Sequence, residues 1–167
     1  MENKERQFPL QKQELPGSER QMQPRPVVDD PDYKASGKLK DKVAFITGGD
    51  SGIGKAVAIL FAREGAKVAI VYLDEQEDAD ETKTIVKKYG GILLQIPGDI
   101  SKEAFCKEAI QKTVDKFGKI DILVNNAAQQ IVAETLQELE TENLVHTFEV
   151  NIFSMFWLTK AALKHSQ

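Results

Sequence analysis

Four glycines, Gly48, Gly49, Gly52 and Gly54, fall within TGGDSGIG at positions 47–54, directly after the apolar run KVAFI. Glycine weakens a strand or helix interior by roughly 0.5–1 kcal/mol relative to alanine, so a cluster where a strand passes into a helix asks for a use. A helix start offers unpaired N–H groups and about half a positive charge. Bare glycines let an anionic group come close to them. The stretch therefore predicts a diphosphate cradle lined by Gly48, Gly52 and Gly54, with Ile53 pressed under the diphosphate and Asp50 and Ser51 in the same turn. A phosphate loop, G-x-x-x-x-G-K-[ST], is nearly spelled by Gly49, Gly54 and Lys55. Ala56 stands where the magnesium-binding hydroxyl is required, which argues against that chemistry. The strict dinucleotide pattern G-x-G-x-x-G is absent too, and T-G-x-x-x-G-I-G stands in its place.

Other chemistry finds little support. Cys106 is the single cysteine and lies in a helical pattern, which excludes a disulfide framework or a multi-cysteine metal site and suits a small, partly buried side chain. His146 and His165 lack ligand spacing with other His or Cys, so no metal site is expected. A net charge of −4 with interleaved lysines and acids offers no basic patch for nucleic acid or an anionic membrane. No run approaches the roughly 18 apolar residues of a membrane span, and the first residues lack the apolar core of a secretory signal. A cytoplasmic setting is the expectation.

The elements that must position the cradle follow from periodicity. Residues 1 to about 40 are rich in Gln, Glu, Pro and Lys, with prolines at 9, 16, 24, 26 and 31. They read as an extended arm, mobile or laid over a neighbouring surface. Residues 41–167 alternate strands and helices. Strands are predicted at 42–47, 67–72, 92–97 and 121–126. The first helix shows apolar residues at 53, 57, 60 and 61, and a last long helix starts near Thr141. Gly65, Gly90 and Gly118 stand as helix stops, and Ser101 as an N-cap. This order predicts an α/β fold, a Rossmann-type doubly wound parallel sheet of about four strands.

TGGDSGIG resembles the glycine motif of the short-chain dehydrogenases/reductases. Asp99-Ile100 after the third strand, NNAA at 125–128 and Asn151 in VNIFSMFWLTKAAL match further motifs of that family in order, over residues 38 to 165. The arm PGSERQMQPRP with GGDSGIGKAVAILFAREGA resembles a bacterial subgroup labelled glucose/ribitol dehydrogenase-like or general stress protein. The resemblance implies an NAD(P)-dependent oxidoreductase acting on CH–OH groups of an alcohol, polyol or sugar, homo-oligomeric when complete. It implies that Asp99 and Ile100 contact adenine, the alternative for Asp99 being a helix-entry cap. It places Asn125 as a tie between the fourth strand and its neighbours, and Ala127 against a cofactor ribose. Thr47 either ties the turn through its hydroxyl or simply ends a strand. Asn151 is the one residue of the catalytic group, implied to hold a proton-relay water.

The choice of coenzyme depends on what meets the adenosine 2′ position. Counting about 20 residues past the glycines reaches Asp74, whereas counting as the family does reaches Tyr72. Asp50, Asp74 and Glu75 make the region negative, which leans to NAD over NADP.

The family's acid–base pair is missing. Four residues after Tyr33, Tyr72 and Tyr89 stand Gly37, Gln76 and Leu93, so no Y-x-x-x-K occurs. The resemblance puts that motif, and the strand carrying the family's serine, beyond Gln167. The chain then reads as the amino-terminal half of an oxidoreductase, inactive alone and aggregation-prone at the bare edge of its fourth strand. The alternative is a non-catalytic dinucleotide-binding or interaction fragment. The aromatic residues Phe153, Phe156 and Trp157 read as core and oligomer contact.

Overall fold

A computed structural model describes residue 13 and residues 19–165. Strands β1 (Val43–Thr47), β2 (Lys67–Tyr72), β3 (Ile92–Pro97) and β4 (Ile122–Val124) form a sheet in the order β3-β2-β1-β4, with every pairing parallel. Helices α1 (Gly52–Arg63), α2 (Gln76–Lys88) and α3 (Glu103–Phe117) make the crossovers. After β4 follow α4 (Thr141–Phe148), a π-helical turn over Glu149–Phe153 and α5 (Ser154–Ala162). The α/β Rossmann-type parallel sheet expected from the sequence is the fold found.

Side chains of a strand point alternately to the two faces, and here both faces are covered. Val68, Ile70 and Tyr72 of β2 pack with Ala58, Ile59 and Ala62 of α1 and Val86 of α2. Ala69 and Val71 face the other way, toward Cys106, Ala109 and Ile110 of α3 and Leu158 of α5. Hence β1 and β2 read as unbroken apolar runs. The glycine stops hold: Gly65, Gly90 and Gly118 all have positive φ, the last as the left-handed C-cap of α3.

Two local expectations are corrected. The α1 face at 53, 57, 60 and 61 is half right: Val57 and Phe61 are partly buried against the core, but Ile53 and Leu60 are exposed and the fully buried residues are Lys55, Ala58, Ile59 and Ala62 with Gly54. Alanines let this helix lie close to the sheet, where larger residues would hold it off. The N-cap of α3 is Lys102 rather than Ser101, because Ser101 is drawn into a tight turn with Asp99.

The arm expected over residues 1–40 is described only in part, since most of residues 1–18 lie outside the described residues. From Glu19 onward the arm runs along α1 of its own chain. Val28 and Leu39 pack against the α1/α2 side of the core. The Arg63 guanidinium sits 5.1 Å from the centre of the Tyr33 ring and 4.3 Å from that of Tyr89. It also donates to Asp29 Oδ1 at 2.9 Å and to the Tyr33 carbonyl at 2.6 Å. On the far side of the sheet, β4 is only half-buried, and Phe148, Phe153 and Phe156 are exposed. No helix among the described residues is long and apolar enough to cross a membrane.

Candidate functional site

The strand order reverses between β1 and β4, and ligands of open parallel sheets bind at such a switch point, beyond the carboxyl ends of the strands. Thr47, the last residue of β1, is buried there. Its Oγ1 accepts the backbone N–H groups of Asn126 and Ala127, each at 3.0 Å. The Asn126 amide donates back to the carbonyls of Thr47 at 3.0 Å and Gly48 at 3.1 Å. The β1 and β4 loops are thus clamped together. Asn126 makes this tie, not Asn125, whose Oδ1 is buried with no partner within the described structure. The sequence offered a signal, since adjacent residues leaving a strand point to opposite sides, but it did not say which asparagine faces β1.

The glycines divide into two kinds. A Cβ on Gly54 would fall 1.8 Å from the Gly48 carbonyl, one on Gly49 2.4 Å from Ile70, and one on Gly48 2.9 Å from Asn126. These three let the turn, the helix and the β4 loop close up. Gly52, at φ +53°, opens onto free space. That space lies at the start of α1, beside Ile53, which is 77% exposed despite its apolar side chain. The first-turn amides of a helix have no intrahelical partner, so an anion entering here meets backbone donors, of which the Gly52 N–H is held by the Glu19 carboxylate at 2.9 Å until the anion displaces it. A diphosphate fits this cradle.

Charge around the cradle is arranged against a second phosphate-loop feature. Lys55 is buried, and its Nζ lies 3.4 Å from both Glu19 Oε2 and Glu81 Oε2. It is committed to carboxylates rather than aimed at the turn. Glu19 Oε1 also accepts the Gly52 N–H at 2.9 Å. Sequence reasoning missed Glu19, and weighed Lys55 only as a phosphate-loop lysine, because nothing in the arm's composition says where it lands. Asp50 is buried behind the turn, and burial, aided by Glu75 and Asp78, pushes its carboxyl above the ordinary value. Its backbone carbonyl accepts the Thr82 hydroxyl at 3.1 Å, fastening the turn to α2. Ser51 is the N-cap residue of α1.

At the end of β2, Tyr72 is buried in the core and donates its hydroxyl to Gln76 Oε1 at 2.6 Å. Asp74, two residues on, is exposed in the β2–α2 loop. Past β3, Asp99 accepts the Ser101 N–H at 2.8 Å and the Ser101 hydroxyl at 2.7 Å, while Ile100 is buried in the α3 core. On the β4 side, Asn151 lies in the π-helical turn. It exchanges two bonds of 2.8 Å with the backbone N–H and carbonyl of Gln129. Cys106 is buried and donates its thiol to the Ile100 carbonyl at 3.2 Å, and burial pushes that thiol up to about 12. Among the described residues no group of three or more His, Cys, Asp or Glu could hold a metal ion.

Residues 42–167 match the family model described as short chain dehydrogenase. The chain is 50% identical over 166 residues to General stress protein 39 of Bacillus subtilis, covering 99% of this chain and 58% of that one. It is 43% identical over 166 residues to the glucose and ribitol dehydrogenase of Daucus carota, covering 95% and 57%. A short chain dehydrogenase from Burkholderia cenocepacia, solved in complex with NADP, superposes with a TM-score of 0.73 at 33% identity, over 77% of this chain and 52% of that one. The chain spans just over half the length of the curated relatives it matches.

Proposed function

The chain belongs to the short-chain dehydrogenase family, and on that premise we propose that residues 41–167 form the coenzyme-binding part of an NAD(P)-dependent oxidoreductase acting on the CH–OH group of an alcohol, polyol or sugar. One observation carries the reading: the start of α1 at the β1/β4 switch point, where a Cβ on Gly52 would meet nothing, its N–H already holds a carboxylate, and Thr47 and Asn126 lock the two loops around it. When bound, the nicotinamide coenzyme supplies the hydride chemistry. The chain's own residues bind and orient it. Gly52, Ile53 and Ser51 take the diphosphate, with Gly48 and Gly54 allowing the close approach. Asp74 meets the adenosine ribose, with Tyr72 as the buried floor beneath it. Asp99, already fixed by Ser101, and Ile100 border the adenine. Ala127, held by Thr47, backs the second ribose, and Asn126 holds the strand end that carries it. Asn151 anchors the backbone of Gln129 beside the site, which suits a residue placing a proton-relay water.

The exposed acid Asp74, with Glu75 next to it, supports NAD over NADP, because an acid there accepts a 2′-hydroxyl and repels a 2′-phosphate. The polyol or sugar substrate rests on the carrot relative's name alone. Exposed Phe148, Phe153 and Phe156 on the β4 side suit a contact with another subunit. No Tyr of these residues has Lys four positions on, so coenzyme binding without hydride transfer is expected of purified 1–167. Calorimetric titration with NAD and NADP tests the reading: micromolar to millimolar binding supports it, and heat from neither coenzyme in a folded sample refutes it. Polyol oxidation above background would refute the expected silence.

A further inference from the structure

We propose that Glu19, carried by the amino-terminal arm, is a coenzyme-specificity residue whose carboxylate disfavours a dinucleotide bearing a 2′-phosphate. The inference rests on the coenzyme reading above and adds to it a residue outside the sheet and its motifs. Glu19 Oε1 accepts the Gly52 N–H at 2.9 Å. Its other oxygen lies 3.4 Å from the Nζ of buried Lys55, which in turn lies 3.4 Å from Glu81 of α2. These contacts fix which side of the cradle the carboxylate occupies. The chain enters α2 directly from β2, and the carboxyl end of β2 is where an adenosine ribose rests in a sheet wound this way. Asn126 and Ala127, at the end of β4, lie on the opposite side. Glu19 therefore stands on the adenosine side.

The charges facing Glu19 decide the direction of its effect. Glu19, Arg25, Lys55 and Glu81 line one hollow with Pro26 and Val28. Two cations there meet two carboxylates, and the β2–α2 loop adds the exposed acids Asp74 and Glu75. A 2′-phosphate brings about 1.5 to 2 further negative charges, so the intact hollow gives it no surplus cation. Neutralising Glu19 leaves Arg25 and Lys55 against Glu81 alone, and the hollow becomes attractive to a phosphate. A 2′-hydroxyl carries no charge and feels the change far less.

The test is calorimetric titration of the full chain and of Glu19→Gln, Glu19→Lys and Glu19→Asp with NAD and NADP at low salt, with thermal melts showing that each protein is folded. The ratio of NADP to NAD affinity is expected to rise by roughly fivefold in Glu19→Gln, as one charge at short range in a partly solvated site implies. It rises further in Glu19→Lys, and stays near the parent value in Glu19→Asp, which keeps the charge and guards against a variant that does not fold. A ratio unchanged in all variants overturns the proposal while leaving the coenzyme reading intact. So does an equal gain for both coenzymes, which would show that the carboxylate only competes for the helix start. Binding of neither coenzyme by the parent chain overturns the coenzyme reading itself, and this inference with it.

Discussion

Thr47 spends its hydroxyl on the N–H groups of Asn126 and Ala127 inside a buried clamp. Thr47→Val keeps the shape and strands both donors. Leaving a buried group unpaired costs about 1–3 kcal/mol, so the variant should lose about 2–4 kcal/mol by urea unfolding and bind coenzyme more weakly. Asp50 has the opposite character. Its carboxyl, buried behind the turn, is held above its ordinary value, chiefly by burial. A carboxyl raised in the fold is ionised at a cost there, and that cost is relieved as pH falls through the folded value. Asp50→Asn should therefore melt higher than the parent at pH 7, with the advantage shrinking toward pH 4. No advantage at pH 7 would mean that the bonds Asp50 makes to the backbone and Ser51 outweigh its burial. Cys106 is simpler: with its thiol pushed up to about 12 and enclosed by α3, it should resist iodoacetamide at pH 8 and react once denatured. Alkylation of the native protein would contradict the burial.

The glycine turn and the helix after it act as one element, and its glycines do different work. Gly54→Ala drives a methyl into the Gly48 carbonyl and should abolish the fold or cost well over about 3 kcal/mol. Gly52→Ala meets open space and suffers only from its positive φ, about 1–2 kcal/mol, while coenzyme affinity falls because the methyl stands at the entrance. Comparable losses of stability in the two variants would mean that the turn is uniformly packed and has no open face. The strands were legible because burial on both faces makes continuous β-branched runs, as in KVAIVY, and the helix ends because Gly65 and Gly118 must take positive φ. The buried stripe of α1 was not legible. Two alanines, a lysine and one isoleucine, Ile59, form it, and hydropathy equally favours Ile53 and Leu60, which the site and the arm leave outside. The π-helical turn at Glu149–Phe153 was equally hidden, since it depends on Asn151 meeting Gln129 across the β4 loop.

At the scale of the molecule, residues 19–41 of the arm clasp α1, and their hold depends on pH. Composition marked it as unable to form a core of its own. It could not show that Arg63 and Glu64, side by side at the end of α1, would receive it. Glu64 is buried and accepts the hydroxyl of Tyr33, the backbone N–H of Lys38 at 2.8 Å and that of Ser36 at 3.2 Å. The Tyr33 bond, then the backbone donors, hold its carboxyl down to about 2, against an ordinary 4.5. A carboxyl lowered in the fold stabilises it wherever the unfolded chain is ionised, so this contribution is whole above about pH 5. It drains away as pH falls through 4.5 toward 2, as protons return to the unfolded form first. Glu64→Gln should lower the thermal midpoint at pH 7, flatten its fall between pH 5 and 2, and speed proteolytic cutting within residues 19–41. A variant that keeps the parent's acid profile and protease resistance would show that Arg63, with its two aromatic rings, holds the arm unaided.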